Sequence, residues 1–325
     1  MKKIVFIIPY FGKWPSYFSM WLKSIKANPT IDFLIITDLE IGVGLSENIK
    51  ILNWTFSKLK KHFQKFFDFE ISLDRYYKLC DYKPVYGFVF QKYVQQYDFW
   101  GHCDIDCVFG DIRKFIDPLL DDFDAIGAYG HMSLYRNCDK INTCFKKDGA
   151  VFNYKEVFSS NYDFAFDETA GIKRILKKQG IRCKYHLDFM ANICTAYKSF
   201  QIGRHKTCDI TNYKKQIFIW EKGNVFQCYL ENSKVCYREF LYIHFQKKVP
   251  VPDENITDSC YILYNKMLPR FDSDSDIKLL KDKKISRKTN IMYLEKMNWI
   301  IKKIIFYIKL DRKQRKIYNK KRRYR

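Results

Sequence analysis

Apolar positions in the first hundred residues follow two patterns, and each predicts a different element. Residues 4–8 (Ile-Val-Phe-Ile-Ile) and 33–37 are short unbroken runs, as expected of strands buried on both faces of a parallel sheet. Between them Phe18, Trp21, Leu22 and Ile25 recur at three- and four-residue steps, which predicts a helix over 17–27. The first 37 residues therefore read as one strand–helix–strand unit. Helices are predicted over 57–68 and 86–96, the second following Lys83-Pro84, because proline suits a first turn and not a helix middle. Residues 99–103 read as a strand that runs into Asp104-Ile105-Asp106, with a short helix over 111–116 and a further strand over 124–129. The polar, cysteine-containing stretch 130–149 reads as a loop. Residues 166–178 read as a helix whose acidic start and Lys177-Lys178 end suit its dipole. Later strands are predicted over 216–220, 225–231 and 240–245, so the fold class is α/β, with a mixed, mostly parallel central sheet flanked by helices.

Composition supports a packed core: 47% of the 325 residues are hydrophobic, with only 13 Gly and 8 Pro. The net charge of +22 is uneven, since residues 281–325 hold 18 Lys/Arg against Asp282, Glu295 and Asp311. The body is only mildly basic, which removes the main reason to expect a nucleic-acid partner for it. Met1-Lys2-Lys3 and the apolar run behind them lack the length and cleavage site of a signal peptide. No apolar run reaches the roughly 18–20 residues of a spanning helix. A cytoplasmic location is expected, peripheral at the inner face of the cell membrane. The 11 cysteines are irregularly spaced, odd in number and without a C-x-x-C pair, so they read as reduced thiols and not as a zinc site or a disulfide framework.

Candidate chemistry begins at Asp104 and Asp106, two carboxylates at the end of a predicted strand, where open α/β sheets place ligands. Hard oxygen ligands suit Mg²⁺ or Mn²⁺, and a cation there would screen a diphosphate. The bland alternative is a turn with two solvated aspartates. At the ends of the first two strands, Pro9, Tyr10, Gly12 and Asp38 could meet a nucleoside: Tyr10 by stacking, Gly12 by permitting close backbone approach. Lys83, fixed beside Pro84, is a candidate phosphate or nucleoside contact, and so is Lys247 with its neighbour Lys248. Asp167 and Glu168 read first as helix-start residues and second as a base for an acceptor hydroxyl; His131 is a weaker acid–base candidate.

Four stretches, Ile7-Ile8-Pro9-Tyr10-Phe11-Gly12, Asp81-Tyr82-Lys83-Pro84-Val85-Tyr86-Gly87, residues 97–112 around the Asp104/Asp106 pair, and Tyr242-Ile243-His244-Phe245-Gln246-Lys247, together resemble a bacterial family of GT-A-like proteins found with capsule and surface-polysaccharide synthesis. The resemblance spans roughly residues 1–248. It implies a GT-A nucleotide-sugar transferase fold and a metal-dependent glycosyltransferase reaction, with a nucleotide-sugar donor such as a UDP-sugar and a glycan or lipid-linked acceptor. It also implies that Asp104 faces the ribose or the metal, that Asp106 coordinates the metal, and that His244 completes the shell. An imidazole ligand would favour Mn²⁺ over Mg²⁺. Retaining and inverting transfer both stay open.

The chain divides into 1–271 as the catalytic domain, 272–290 as a polar linker, and 291–325 as a basic amphipathic helix with a polybasic end. In the last, Leu294, Met297, Ile301, Ile304, Ile305 and Ile308 form a stripe, with Lys296, Lys302, Lys303 and Lys309 off it. This suits an anionic membrane surface, or a helix packed on the domain. The competing function is a non-catalytic adaptor that uses the tail on membrane or nucleic acid. Nucleotidyl transfer also uses paired aspartates, but no Gly-rich phosphate loop is present.

Overall fold

β1 (Ile4–Pro9) is an inner strand of the largest sheet and contributes alternate side chains to two cores: Val5 and Ile7 to one, Ile4, Phe6 and Ile8 to the other. The structure is a computed structural model, and it describes all residues except 43, 195–199, 204–210, 214, 247–248, 283–290 and 324–325. β1 pairs in parallel with β2 (Ile31–Thr37) and with β4 (Phe99–Cys103), and β2 pairs in parallel with β3 (Ile49–Asn53). Helix α1 (Phe18–Lys26) connects β1 to β2 and buries Met20, Trp21, Ser24 and Ile25. Helix α2 (Phe56–Gln64) follows β3 and is capped by Thr55, whose side chain accepts from the Lys58 amide.

Beyond β4 the central sheet changes direction. Its seven strands run β3-β2-β1-β4-β7-β6-β8, with β5 (Cys107–Phe109) leaving it, β7 (Met132–Arg136) antiparallel to both β4 and β6 (Ala125–Ile126), and β8 (Cys183–Lys184) parallel to β6. The expected strand at 124–129 shrinks to β6, and the expected loop at 130–149 contains β7. The reason is burial: Met132 and Leu134 enter one core and Tyr135 the other, so the stretch is apolar in alternation although polar on average.

A small sheet, β5-β13-β9, joins β9 (Met190–Asn192) in parallel and β5 antiparallel to β13 (Tyr242–His244). A six-stranded sheet, β12-β11-β10-β15-β16-β14, comprises β10 (Gln216–Glu221), β11 (Asn224–Glu231), β12 (Lys234–Phe240), β14 (Val251–Pro252), β15 (Ser259–Ile262) and β16 (Lys266–Pro269). Val108 and Ile243 of the small sheet pack with Phe218 and Trp220 of the large one, and Trp220 Nε1 donates to the Phe109 carbonyl at 3.0 Å. The architecture is mixed α/β with mixed sheets.

Two helical expectations differ in detail. Residues 86–96 form two single turns, Tyr86–Val89 and Gln91–Val94, broken at Phe90. In the expected linker, Asp274–Lys281 is a helix held by the buried Asp276, while 283–290 lie outside the described residues. The C-terminal stretch forms two helices, Ile291–Lys309 and Arg312–Arg322, the second closed at its start by an Asp311/Gln314 capping box.

Candidate metal and donor site

Asp104-Ile105-Asp106 is the turn by which the chain leaves β4 and enters β5. The turn is held on both sides: Asp104 N donates to the His131 carbonyl at 2.9 Å, and Phe245 N donates to the Asp106 carbonyl at 3.0 Å. Strand register then decides what faces it. Antiparallel pairing sets His244 opposite Cys107, one residue past Asp106, and parallel pairing sets Asn192 beside His244 on the other side. Ligand atoms of Asp104, Asp106 and His244 lie within 4.8 Å of one another, with His244 Nε2 3.5 Å from Asp106 Oδ1.

The donor set suits a divalent cation. His244 Nδ1 lies 2.9 Å from Asn192 Oδ1, an acceptor that also receives Gln246 Nε2 at 2.6 Å. The proton therefore sits on Nδ1, which leaves the Nε2 lone pair toward Asp106. Burial pulls the imidazole down to about 4, so it stays neutral, the form that can ligate. The side chains remain reachable: Asp104 is 36% exposed, Asp106 16% and His244 10%. Cys103 and Cys107 bracket the turn, but burial pushes both thiols up and keeps them protonated, so they offer no thiolate. All ten described cysteines are free.

Lys83 occupies a different place from the open phosphate contact expected of it. Its Nζ donates to Asp104 Oδ1 at 2.5 Å and to the Gly130 carbonyl at 2.6 Å, and lies 3.6 Å from Asp167 Oδ2. Burial opposes its charge, but Asp104, Cys80 and Asp167 outweigh it and hold the ammonium firmly protonated. Its hydrogen-bonding capacity is thus committed to protein oxygens, and it links the metal-ligand turn to the Asp167 loop.

Asp167 and Glu168 do not cap a helix, because the helix begins only at Ile172, with Gly171 at its cap. Asp81 fixes the loop that precedes that helix. Its carboxylate accepts from Phe164 N and Phe166 N, at 3.0 and 2.9 Å, and is itself paired with the fully buried Lys78 at 2.8 Å. The loop this forms brings Asp167 in beside Lys83. Burial drives the Asp167 carboxyl well above the usual range, Lys83 opposing and Glu168 adding to the rise. Gly130 lies where the two segments meet: a Cβ there would lie 2.7 Å from Glu168 Oε1 and 2.9 Å from Asp167 Oδ2, so a larger residue would displace those carboxylates.

His131 is buried between rings, 4.1 Å from the His244 centroid and 5.2 Å from Tyr129, with Nδ1 3.0 Å from Tyr242 OH. Burial, then His244, lower its pKa well below the ordinary value. It packs against His244 and does not face open solvent. Tyr10 stacks on Trp14 at 4.8 Å, and burial together with the nearby Asp106 raises its phenol. Tyr17, which the sequence marked only as a helix start, is raised in the same way with both aspartates in range. Gly12 has φ +102, and a Cβ there would meet the Tyr76 ring at 3.1 Å, so the turn itself demands glycine. Pro9 ends β1, and Asp38 is exposed just past β2. Lys247 and Lys248 lie outside the described residues.

Residues 6–270 match a family of unknown function, DUF6625. The chain belongs to that family. Every residue of the Asp104, Asp106 and His244 set, with Lys83, Asp167 and Asn192, falls inside the DUF6625 region. No curated protein matches the chain. Among solved structures it is similar to a galactosyltransferase, LgtC, determined in complex with donor and acceptor sugar analogues, at 16% identity over 58% of this chain and 75% of that one, with a TM-score of 0.31. A similarity of that extent is too weak to bear on fold or activity.

Proposed function

We propose that this protein is a metal-dependent glycosyltransferase of the GT-A type, moving a sugar from a nucleotide-diphosphate donor, a UDP-sugar foremost, to a glycan or lipid-linked acceptor in surface polysaccharide synthesis at the inner face of the cell membrane. The observation that carries this reading is the convergence of Asp104, Asp106 and His244 within 4.8 Å at the carboxyl end of β4, a strand of the parallel half of the sheet. These three residues would hold Mn²⁺ or Mg²⁺, the imidazole favouring Mn²⁺. When bound, the cation supplies positive charge that neutralises a diphosphate leaving group.

The remaining groups act on the substrates. Tyr10 and Tyr17, close to Asp106, offer rings and hydroxyls to the nucleoside. Lys83 keeps Asp104 oriented and adds positive potential beneath the diphosphate. On this reading an inverting transfer would draw the base for the acceptor hydroxyl from Asp167 and Glu168, of which Glu168 is the less buried.

The test is a melting-temperature panel of UDP-, GDP- and CDP-sugars with and without Mn²⁺. One donor should stabilise the protein only with metal, by about 2.7 kcal/mol at roughly hundredfold excess over Kd. Asp106→Asn should remove the effect. No shift across the panel with Mn²⁺ present would overturn the reading.

A further inference from the structure

Among the described residues, the shorter of the two C-terminal helices is the one held by the body. Ile317 of Arg312–Arg322 is buried in the main core, Lys321 Nζ donates to the Asp163 carbonyl at 2.8 Å, Tyr162 OH donates to the Asp311 cap at 3.2 Å, and Lys320 lies 4.4 Å over the Phe152 ring. The longer helix, Ile291–Lys309, meets its neighbour through one side. The Phe306 and Tyr307 rings lie 6.3 and 5.5 Å from Tyr318, and Tyr307 OH accepts from Asn319 Nδ2 at 3.0 Å.

That contact turns another side outward. Met297, Ile300, Ile301, Ile304, Ile305 and Ile308 are 42 to 62% exposed. At about 100° per residue they occupy a single arc of roughly 140°. Scattered exposed apolar residues need no explanation, but a continuous arc marks a contact surface. Its surroundings select the occupant: Lys302 is exposed on the same helix, and Arg312, Lys313, Arg315 and Lys316 are exposed on the next. A second copy applied to this arc would bring two basic helices together, whereas an anionic bilayer satisfies the apolar arc and the charge at once. No described helix is long and apolar enough to cross a membrane, so the arc would lie in the interface.

We propose that the exposed apolar arc of Ile291–Lys309 inserts into the headgroup region of an anionic membrane, with Arg312–Arg322 lying over the lipid phosphates. The docked helix also grips Tyr162 and Asp163, in the segment that leads to Asp167. On the transferase reading, on which this consequence alone rests, the membrane-bound element braces the acceptor side of the site, and the acceptor is a lipid-linked glycan.

The experiment is flotation of the full-length protein with vesicles of phosphatidylcholine alone or with about one-third phosphatidylglycerol. Binding is expected only with the anionic vesicles and should weaken as salt rises. The Ile301→Asp/Ile305→Asp variant should lose it by about tenfold or more, with its melting temperature unchanged. Should that variant fold poorly, Arg312→Glu/Lys316→Glu, changed at exposed positions, should also weaken anionic binding. Absence of flotation, equal flotation on neutral vesicles, undiminished binding by either folded variant, or a light-scattering dimer abolished by the aspartates would each overturn the proposal. The Mn²⁺ and nucleotide-sugar shift is read on the same preparations. Lost flotation with an intact shift removes only the membrane inference, and a missing shift with intact flotation removes only the transferase reading.

Discussion

Asn192 shows how much of the site depends on a residue that carries no charge and ligates nothing. Its Oδ1 sets the tautomer and ring plane of His244, and groups of this kind tune metal affinity through the ligand they orient. Asn192→Ala should weaken Mn²⁺ binding by roughly 10–100-fold while leaving the fold intact, measured by Mn²⁺-dependent melting or by spin-resonance titration; unchanged affinity would remove the orienting role. Lys78 and Asp81 are a second residue-scale case. Both are almost fully buried, and Asp81 also accepts two backbone amides of the Asp167 loop. Asp81→Ala leaves an ammonium buried without its partner and should cost about 3–5 kcal/mol in denaturant unfolding. The Asp104/Asp106 pair was visible in the sequence because the two aspartates stand adjacent at a strand end. Asn192, Gly130 and Asp81 were not singled out, because each matters through a segment remote in the chain.

Elements explain why the pairings hold. In the small sheet, β13 lies between β5 and β9, so Tyr242 packs into one core, Ile243 into another, and His244 faces Asp106 and Asn192. A one-residue slip would exchange those faces, which makes the register costly to change. The Asp274–Lys281 helix is fastened to the six-stranded sheet by Asp276, which accepts from Tyr237 OH at 2.6 Å, Tyr261 OH at 2.7 Å and both Arg270 Nε and Nη2, at 2.9 and 3.0 Å. Burial works against its charge, but Arg270 and the two tyrosines hold its carboxyl below the usual range. A depressed folded-state pKa contributes stability above the unfolded value, and that stability is lost as pH falls through the folded pKa. Melting temperature should therefore drop below about pH 4, and Asp276→Asn should flatten that part of the profile while lowering stability at neutral pH. An unchanged acid limb in the variant would contradict the assignment. Periodicity announced β1, β2, β4, α1, β10, β11 and β13. It missed β3, β5, β7, β9, β12, β15 and β16, and it started the 166–178 helix six residues early, where Asp81 instead holds the Phe164 and Phe166 amides in a loop.

At the scale of the whole molecule, the basic excess sits at one end of the chain, and the structure divides it between a docked helix and an outward-facing one. Truncation after residue 309 removes Ile317 from the core and the Lys321 bond to Asp163, and should lower the melting temperature by a few degrees, read by calorimetry; an unchanged value would mean the last helix does not pack. The sequence by itself determined the α/β class, the strand that ends in Asp104-Ile105-Asp106, and the amphipathic basic end, since each follows from spacing within a few turns of chain. Only the tertiary structure decided that His244, 138 residues further along the chain, faces Asp106, that Lys83 is committed to Asp104 and Gly130, and that Asp167 leaves its predicted helix and lies beside Lys83. Those outcomes depend on strand register and on buried ion pairs, which are settled by contacts between segments far apart in sequence and leave no local period to read.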